Sequence, residues 1–197
     1  MALQSEFESS GVPMTEEDYL NAELNAEVRH EYIDGRAYAM TGGTTSHIRI
    51  TANVLGEFRN HLKGKPCEAF MADMQVKLGK NYVYPDVVVA CNHTEVHGLT
   101  SAPVIIVEVL SKSTRVTDLT TKLIKYINLP SLQEYVLLEQ DFVSVQVLRK
   151  RNHWQAEYFF LDHTVTFESI GLTLRVADIY DRVENEDMQE FRLAQPS

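Results

Sequence analysis

The stretch VIIVEVL, Val104 to Leu110, constrains this chain more than any other. Apart from one residue it is aliphatic and mostly β-branched, so it reads as a strand buried on both faces. The exception, Glu108, stands in its middle. A carboxylate buried without a partner protonates, pairs with a base or binds a cation. A chain that folds around this strand must bring Glu108 a partner from elsewhere.

Asp86 follows Pro85 and opens a second aliphatic run, Val87-Val88-Val89-Ala90, 22 residues before Glu108. If NHTEVHGLTSAP between the two runs is a loop, the strands lie side by side and the two carboxylates converge. Such a pair suits a hard divalent cation, which takes one or two carboxylates plus waters and substrate phosphates. Taken singly, each acid has a plainer reading. Asp86 serves as a turn residue leading into a strand. Glu108 forms a structural ion pair with Lys122 or Arg115.

The polar turn Ser111-Lys112-Ser113-Thr114 follows the Glu108 strand, and a helix is predicted from Arg115 to Asn128, ended by Pro130. Asp118, Lys122 and Tyr126 recur at intervals of four and share one helix face. A lysine there can point back at the end of the Glu108 strand, where an ammonium orients water or stabilises charge developing on a phosphate. The alternative is an Asp118–Lys122 surface pair, worth about 0.3 kcal/mol.

The remaining signals are local. A helix is predicted from Thr15 to Asn25, with Thr15 as N-cap and Asp18 at the capping-box position. RHEYIDGRAYAM is a hairpin around Asp34-Gly35. Ile48, Val54, Leu55, Phe58 and Leu62 recur at helical spacing before a stop at Gly64. EAFMADMQVKL and VYPDVVVAC read as two strands around Gly79-Lys80-Asn81, and further strands are predicted near EYVLLEQ, FVSVQVLRK, QAEYFFL and Leu172 to Val176, then a brief helix over Ala177 to Tyr180. This is a mixed α/β (α+β) layout, a central mixed sheet with a longer helix on each face.

The 197 residues suit one domain over 14–182, after a flexible lead over 1–13 and before a frayed polar tail over 183–197. No apolar run approaches the roughly 20 residues of a membrane span, and the N-terminus has no signal-peptide pattern. Cys67 and Cys91 stand in unrelated contexts and predict a reduced, cytoplasmic protein. The sequon at Asn92 is discounted because no secretion signal accompanies it. A net charge of −10 argues against a chain that coats nucleic acid non-specifically, though not against a local basic groove.

The pieces RHEYIDG, YPDVVV, VIIVEVLSKST, DLTTKLIKY and QEYVLL, in this order, resemble the putative restriction endonuclease family of the PD-(D/E)xK nuclease superfamily, over residues 14–180. Each piece alone is weak and the ordered set is specific. The resemblance implies a restriction-endonuclease-like core and Mg²⁺- or Mn²⁺-dependent hydrolysis of DNA. It makes Asp86 and Glu108 the metal ligands, helped by the Val109 carbonyl, and Glu31 a further metal or water ligand. The superfamily lysine falls at position 110, where this chain has Leu110, so the resemblance passes that role to Lys122 on the helix. His47, matching a histidine the family places at a helix start, either contacts phosphate or has no chemistry. Lys112, Arg115 and Lys125 supply positive potential for the substrate. Gln75 and Lys77 could also reach the site. Enzymes of this type pair to cut two strands, so a homodimer is expected, with Tyr158, Phe159 and Phe160 as core or interface residues.

Two other functions compete. The missing lysine at position 110 suits a nuclease fold that has lost its chemistry and binds nucleic acid or a protein. A carboxylate-pair glycosidase needs two acids across a substrate cleft and no lysine. It ranks last, because no aromatic residues interleave with the acids.

Overall fold

The computed structural model describes residues 11–92 and 98–194. A short strand β1 (Val12–Pro13) precedes helix α1 (Glu16–Glu23), whose N-cap Thr15 accepts a hydrogen bond from the Asp18 amide at 3.1 Å. Three acids in its first turn complement the helix dipole. Thr15→Ala is expected to cost about 1 kcal/mol, read as a lower midpoint in urea with an unchanged slope. Strands β2 (His30–Ile33) and β3 (Arg36–Ala39) form the predicted hairpin, and Asp34 and Gly35 both take the positive φ that its tight turn requires.

Helix α2 (Thr45–Leu62) starts at the N-cap Thr44, and the chain leaves it through Lys63 and Gly64, the latter at φ 76°. It buries Ile50, Val54, Phe58 and Leu62, while Ile48, expected on the apolar stripe, faces outward. The segment predicted as two strands is four. Strand β4 (Cys67–Met71) breaks at Ala72, which has positive φ. Strands β5 (Gln75–Leu78) and β6 (Asn81–Val83) then make an excursion into a second sheet, and the chain returns through Pro85 to β7 (Val87–Cys91). Proline has no amide to donate to a ladder, so the strands separate there.

Residues 93–97, inside the stretch predicted as a loop, lie outside the described residues, as do 1–10 of the lead and 195–197 of the tail. Strand β8 (Leu99–Thr100) follows, then β9 (Pro103–Leu110), the predicted acid-bearing strand. The helix expected from Arg115 is broken into α3 (Arg115–Thr117), a π-helical turn over Asp118–Lys122 and α4 (Leu123–Ile127). Strands β10 (Glu134–Glu139), β11 (Val145–Arg149), β12 (Ala156–Phe159), β13 (Thr164–Phe167) and β14 (Leu172–Arg175) come next, of which β13 was not predicted. Helix α5 (Val176–Ile179) follows, and helix α6 (Glu186–Ala194) replaces the expected frayed tail, with Met188 buried.

The main sheet runs β12-β11-β10-β9-β7-β4, and a second sheet runs β1-β3-β2-β6-β5-β8. In the main sheet β9 and β10 are parallel, which requires a crossover, and the broken helix provides it. Alternation assigns the faces. Ile105, Val107, Val109, Val87 and Val89 meet α2, with the β13–β14 hairpin closing that side through Phe167 against Phe58. Ile106, Leu110, Val88, Tyr135 and Leu137 meet the crossover helix and the second sheet. Glu108 projects to this second face, paired with Leu137 across β10. Phe159 packs against the core, whereas Tyr158, on the edge strand β12, and Phe160, just past its end, are exposed.

The expectation of reduced cysteines is corrected. Cys67 and Cys91 are direct partners in the antiparallel β4–β7 ladder and form a disulfide. Their pairing follows from strand register, which nothing local in the two contexts encodes. Among the described residues no helix is long and apolar enough to cross a membrane.

Candidate active site

The β7–β9 ladder pairs Val87 with Val107, so Asp86, one residue further out, stands beside Glu108. The Asp86 carboxylate bridges the two strands, its Oδ2 accepting from the Val109 amide at 2.7 Å. Its Oδ1 is 3.2 Å from His47 Nε2, which the first turn of α2 brings in from the other side. Burial works against a charge on His47, but the Asp86 carboxylate outweighs it and raises the imidazole above its ordinary value.

The crossover helix supplies the partner that Glu108 demands. Lys122 reaches down through its buried stem, with Nζ 3.3 Å from Glu108 Oε1, 2.8 Å from Glu31 Oε1 on β2 and 3.1 Å from Asp118 Oδ1. Glu108, Asp118 and Lys122 are 4%, 2% and 4% exposed, so these charges are removed from water. The Tyr126 hydroxyl donates to Glu108 Oε1 at 2.9 Å. The Tyr84 amide donates to Glu31 Oε1, and the Tyr135 hydroxyl to the Asp118 carbonyl. Asp118 Oδ1 has the Lys122 charge beside it but no hydrogen-bond donor among the described residues.

Three carboxylates, Glu31, Glu108 and Asp118, thus share one buried ammonium, and a fourth, Asp86, stands beside Glu108 against His47. The imbalance appears in the titration of the site. Glu108 is pushed well above the usual carboxylate range, first by burial, against the pull of Lys122, then by Asp118, Asp86 and Glu31. Lys122 is raised as well, because the carboxylates overcome its burial. The Tyr126 and Tyr135 hydroxyls are pushed up by burial and by Glu108.

An acid whose folded-state pKa is raised stabilises the fold below its unfolded value and loses that contribution as pH rises through the folded one. At neutral pH in EDTA, Glu108→Gln is therefore expected to be more stable than wild type by about 1–2 kcal/mol. The gain should shrink toward pH 4, where wild-type Glu108 is protonated. Urea melts at the two pH values measure it, and equal stability at both would remove the charge imbalance as its cause.

Among the described residues no three His, Cys, Asp or Glu side chains close on a common point as they stand, so no metal cage is preformed. The donor chemistry still fits a hard cation. The acids outnumber the ammonium, Lys122 and Tyr126 both bond Glu108 through Oε1, and Asp118 Oδ1 has no hydrogen-bond donor among the described residues. Asp86, Glu108 and the Val109 carbonyl are the groups that would hold such an ion.

Other expected residues stand further out. Arg115 makes a bidentate pair with Glu139 at 2.6 Å, and Lys125 pairs with Asp34 at 2.6 Å, so part of the expected positive potential is offset within the chain. Lys112 is exposed on the turn after β9. Gln75 donates to Tyr19 and Tyr84, beside Glu23, and Lys77 lies over the Tyr82 ring. Asp118, for which a surface pair with Lys122 was the alternative reading, is a buried member of the cluster. Tyr84 and Tyr135 were not anticipated. Tyr135 could have been found by alternation, since it lies two residues before Leu137, the direct partner of Glu108.

A mixed sheet with acids on two neighbouring strands, and a lysine delivered from the parallel crossover, defines a restriction-endonuclease-like architecture. The crystal structure of a putative nuclease of the DUF820 group from Anabaena variabilis has this fold, with a TM-score of 0.74 at 22% identity over 87% of this chain and 100% of that one. Residues 16–177 match Uma2, described as a putative restriction endonuclease, and the chain belongs to that family. Two uncharacterized proteins of Synechocystis sp. are similar. One is 33% identical over 85% of this chain and 91% of its own length. The other is 29% identical over 70% and 81%.

Proposed function

We propose that this protein is a divalent-metal-dependent endonuclease that hydrolyses DNA phosphodiester bonds. The observation that carries this reading is the approach of Lys122 to Glu108 from the crossover helix, with Asp86 alongside on the next strand. An ammonium beside a carboxylate pair supports phosphoryl-transfer chemistry although position 110 carries leucine.

When bound, Mg²⁺ or Mn²⁺ lowers the pKa of a water ligand and polarises a phosphoryl oxygen. Asp86 and Glu108, with the Val109 carbonyl, would hold the ion. Glu31 and Asp118 keep Lys122 charged and aimed at Glu108, so that its ammonium orients the attacking water and offsets charge developing on the phosphate. His47 holds Asp86 on the side away from Lys122 and can turn its imidazolium to a phosphate oxygen. Lys112, Arg115 and Lys125 flank the site and engage the backbone of the substrate without reading its bases.

A second reading, a nuclease fold that binds without cleaving, is favoured by one observation: Lys122 already answers three of the four carboxylates. Nicking of supercoiled plasmid by the wild-type protein decides between them. Cleavage with Mg²⁺ or Mn²⁺ that stops in EDTA is the expected result. DNA retention without cleavage under any divalent ion would transfer the assignment to a binding module.

A further inference from the structure

The position of His47 depends on a residue far from it in sequence. Gln140, buried just beyond the end of β10, donates from Nε2 to the Leu110 carbonyl at 2.8 Å. Its Oε1 accepts from the Thr44 hydroxyl at 2.5 Å, and Thr44 Oγ1 accepts from the His47 amide at 3.2 Å. The polarity of this chain is forced. A carbonyl only accepts, so the amide nitrogen of Gln140 must face Leu110 and its oxygen must face Thr44. Thr44 must then donate outward and use its lone pairs to cap the helix.

Gly43 adds an independent constraint. A Cβ there would lie 2.7 Å from His47 Nδ1, so the ring occupies space that only glycine leaves open. The circuit closes on the site itself: Leu110 ends the Glu108 strand, His47 touches Asp86, and Asp86 returns to the Val109 amide.

We propose that Gln140 is a positioning residue that, through Thr44 and against Gly43, seats the start of α2 so that the His47 imidazole rests on Asp86. Its effect on cleavage rests on the endonuclease reading above; its effect on His47 does not.

Thr44→Asp separates this role from ordinary helix capping. Aspartate caps a helix as well as threonine does. It cannot donate to Gln140 Oε1, and it would draw the amide round and set Oε1 against the Leu110 carbonyl. The test records the ¹⁵N and ¹H signals of the His47 imidazole in Thr44→Ser, Thr44→Asp and Gln140→Leu. Plasmid cleavage is measured in the same variants with and without His47→Ala. Thr44→Ser is expected to match wild type. Thr44→Asp and Gln140→Leu are expected to displace the imidazole signals alike and to lower cleavage about tenfold, with no further loss in the His47→Ala background. Wild-type imidazole signals in Thr44→Asp and Gln140→Leu would overturn the proposal, as would full additivity with His47→Ala. If the wild type cleaves nothing, the endonuclease reading fails and the imidazole signals still decide the role of Gln140.

Discussion

Asp86→Ala is expected to lower plasmid cleavage on the order of a thousandfold and to remove measurable Mn²⁺ binding. The carboxylate touches both sides of the site, the Val109 amide through Oδ2 and His47 through Oδ1. Its removal takes away a hard oxygen ligand and frees the imidazole that leaned on it. The fold should survive, because Asp86 lies outside the ladder, where β7 begins at Val87, and its side chain is partly open to solvent. The Val109 amide loses its acceptor, at a cost of about 1–3 kcal/mol if water does not replace it. Asp86→Asn controls for that loss: its amide oxygen can still accept from Val109, yet it brings no charge. Both variants should fail in calorimetry with Mn²⁺. Unchanged Mn²⁺ binding in both would sink the assignment of Asp86 as a ligand, whatever cleavage does.

Lys122→Met should show the second large effect, on stability and on rate together. The substitution keeps the unbranched stem and deletes the ammonium, leaving Glu31, Glu108 and Asp118 without their shared countercharge. Breaking a buried pair from one side costs about 3–5 kcal/mol at neutral pH. The raised pKa of Lys122 sets the sign: its stabilisation is complete at neutral pH and in wild type is lost only as pH climbs through the folded value. Cleavage at a temperature where the variant remains folded should drop about 10²–10³-fold. Leu110 lies on the same sheet face as Glu108, two residues on, so Leu110→Lys in the Lys122→Met background returns an ammonium to that face. It should recover part of the rate. A folded Lys122→Met variant that cleaves like wild type would end the role proposed for the lysine.

Much of this was legible locally. Thr15 begins its helix because a hydroxyl beside free amides is a signal a few residues long. Asp34-Gly35 marks its hairpin because both residues tolerate positive φ. Glu108 announced the site because an acid inside an aliphatic strand is costly unless answered, and the spacing of Asp118, Lys122 and Tyr126 named the helix face that answers it. The family followed from motif order along nearly the whole chain.

What stayed hidden was set at a distance. The burial of Asp118 and Lys122 depends on the parallel β9–β10 pairing, which folds the crossover back over Glu108. The excursion of β5 and β6 into a second sheet, the facing of Cys67 by Cys91, and the reach of Gln140 to Thr44 across 96 residues all depend on strand register. Register and partner choice are decided by packing between elements, where a shift of one residue turns every side chain to the other face, and no window of neighbouring residues carries that information. The residue types and their local order therefore settled which groups could do chemistry here, while long-range packing settled which of them meet, because burial raises Glu108 and the surrounding carboxylates raise Lys122 only once the chain has closed around both.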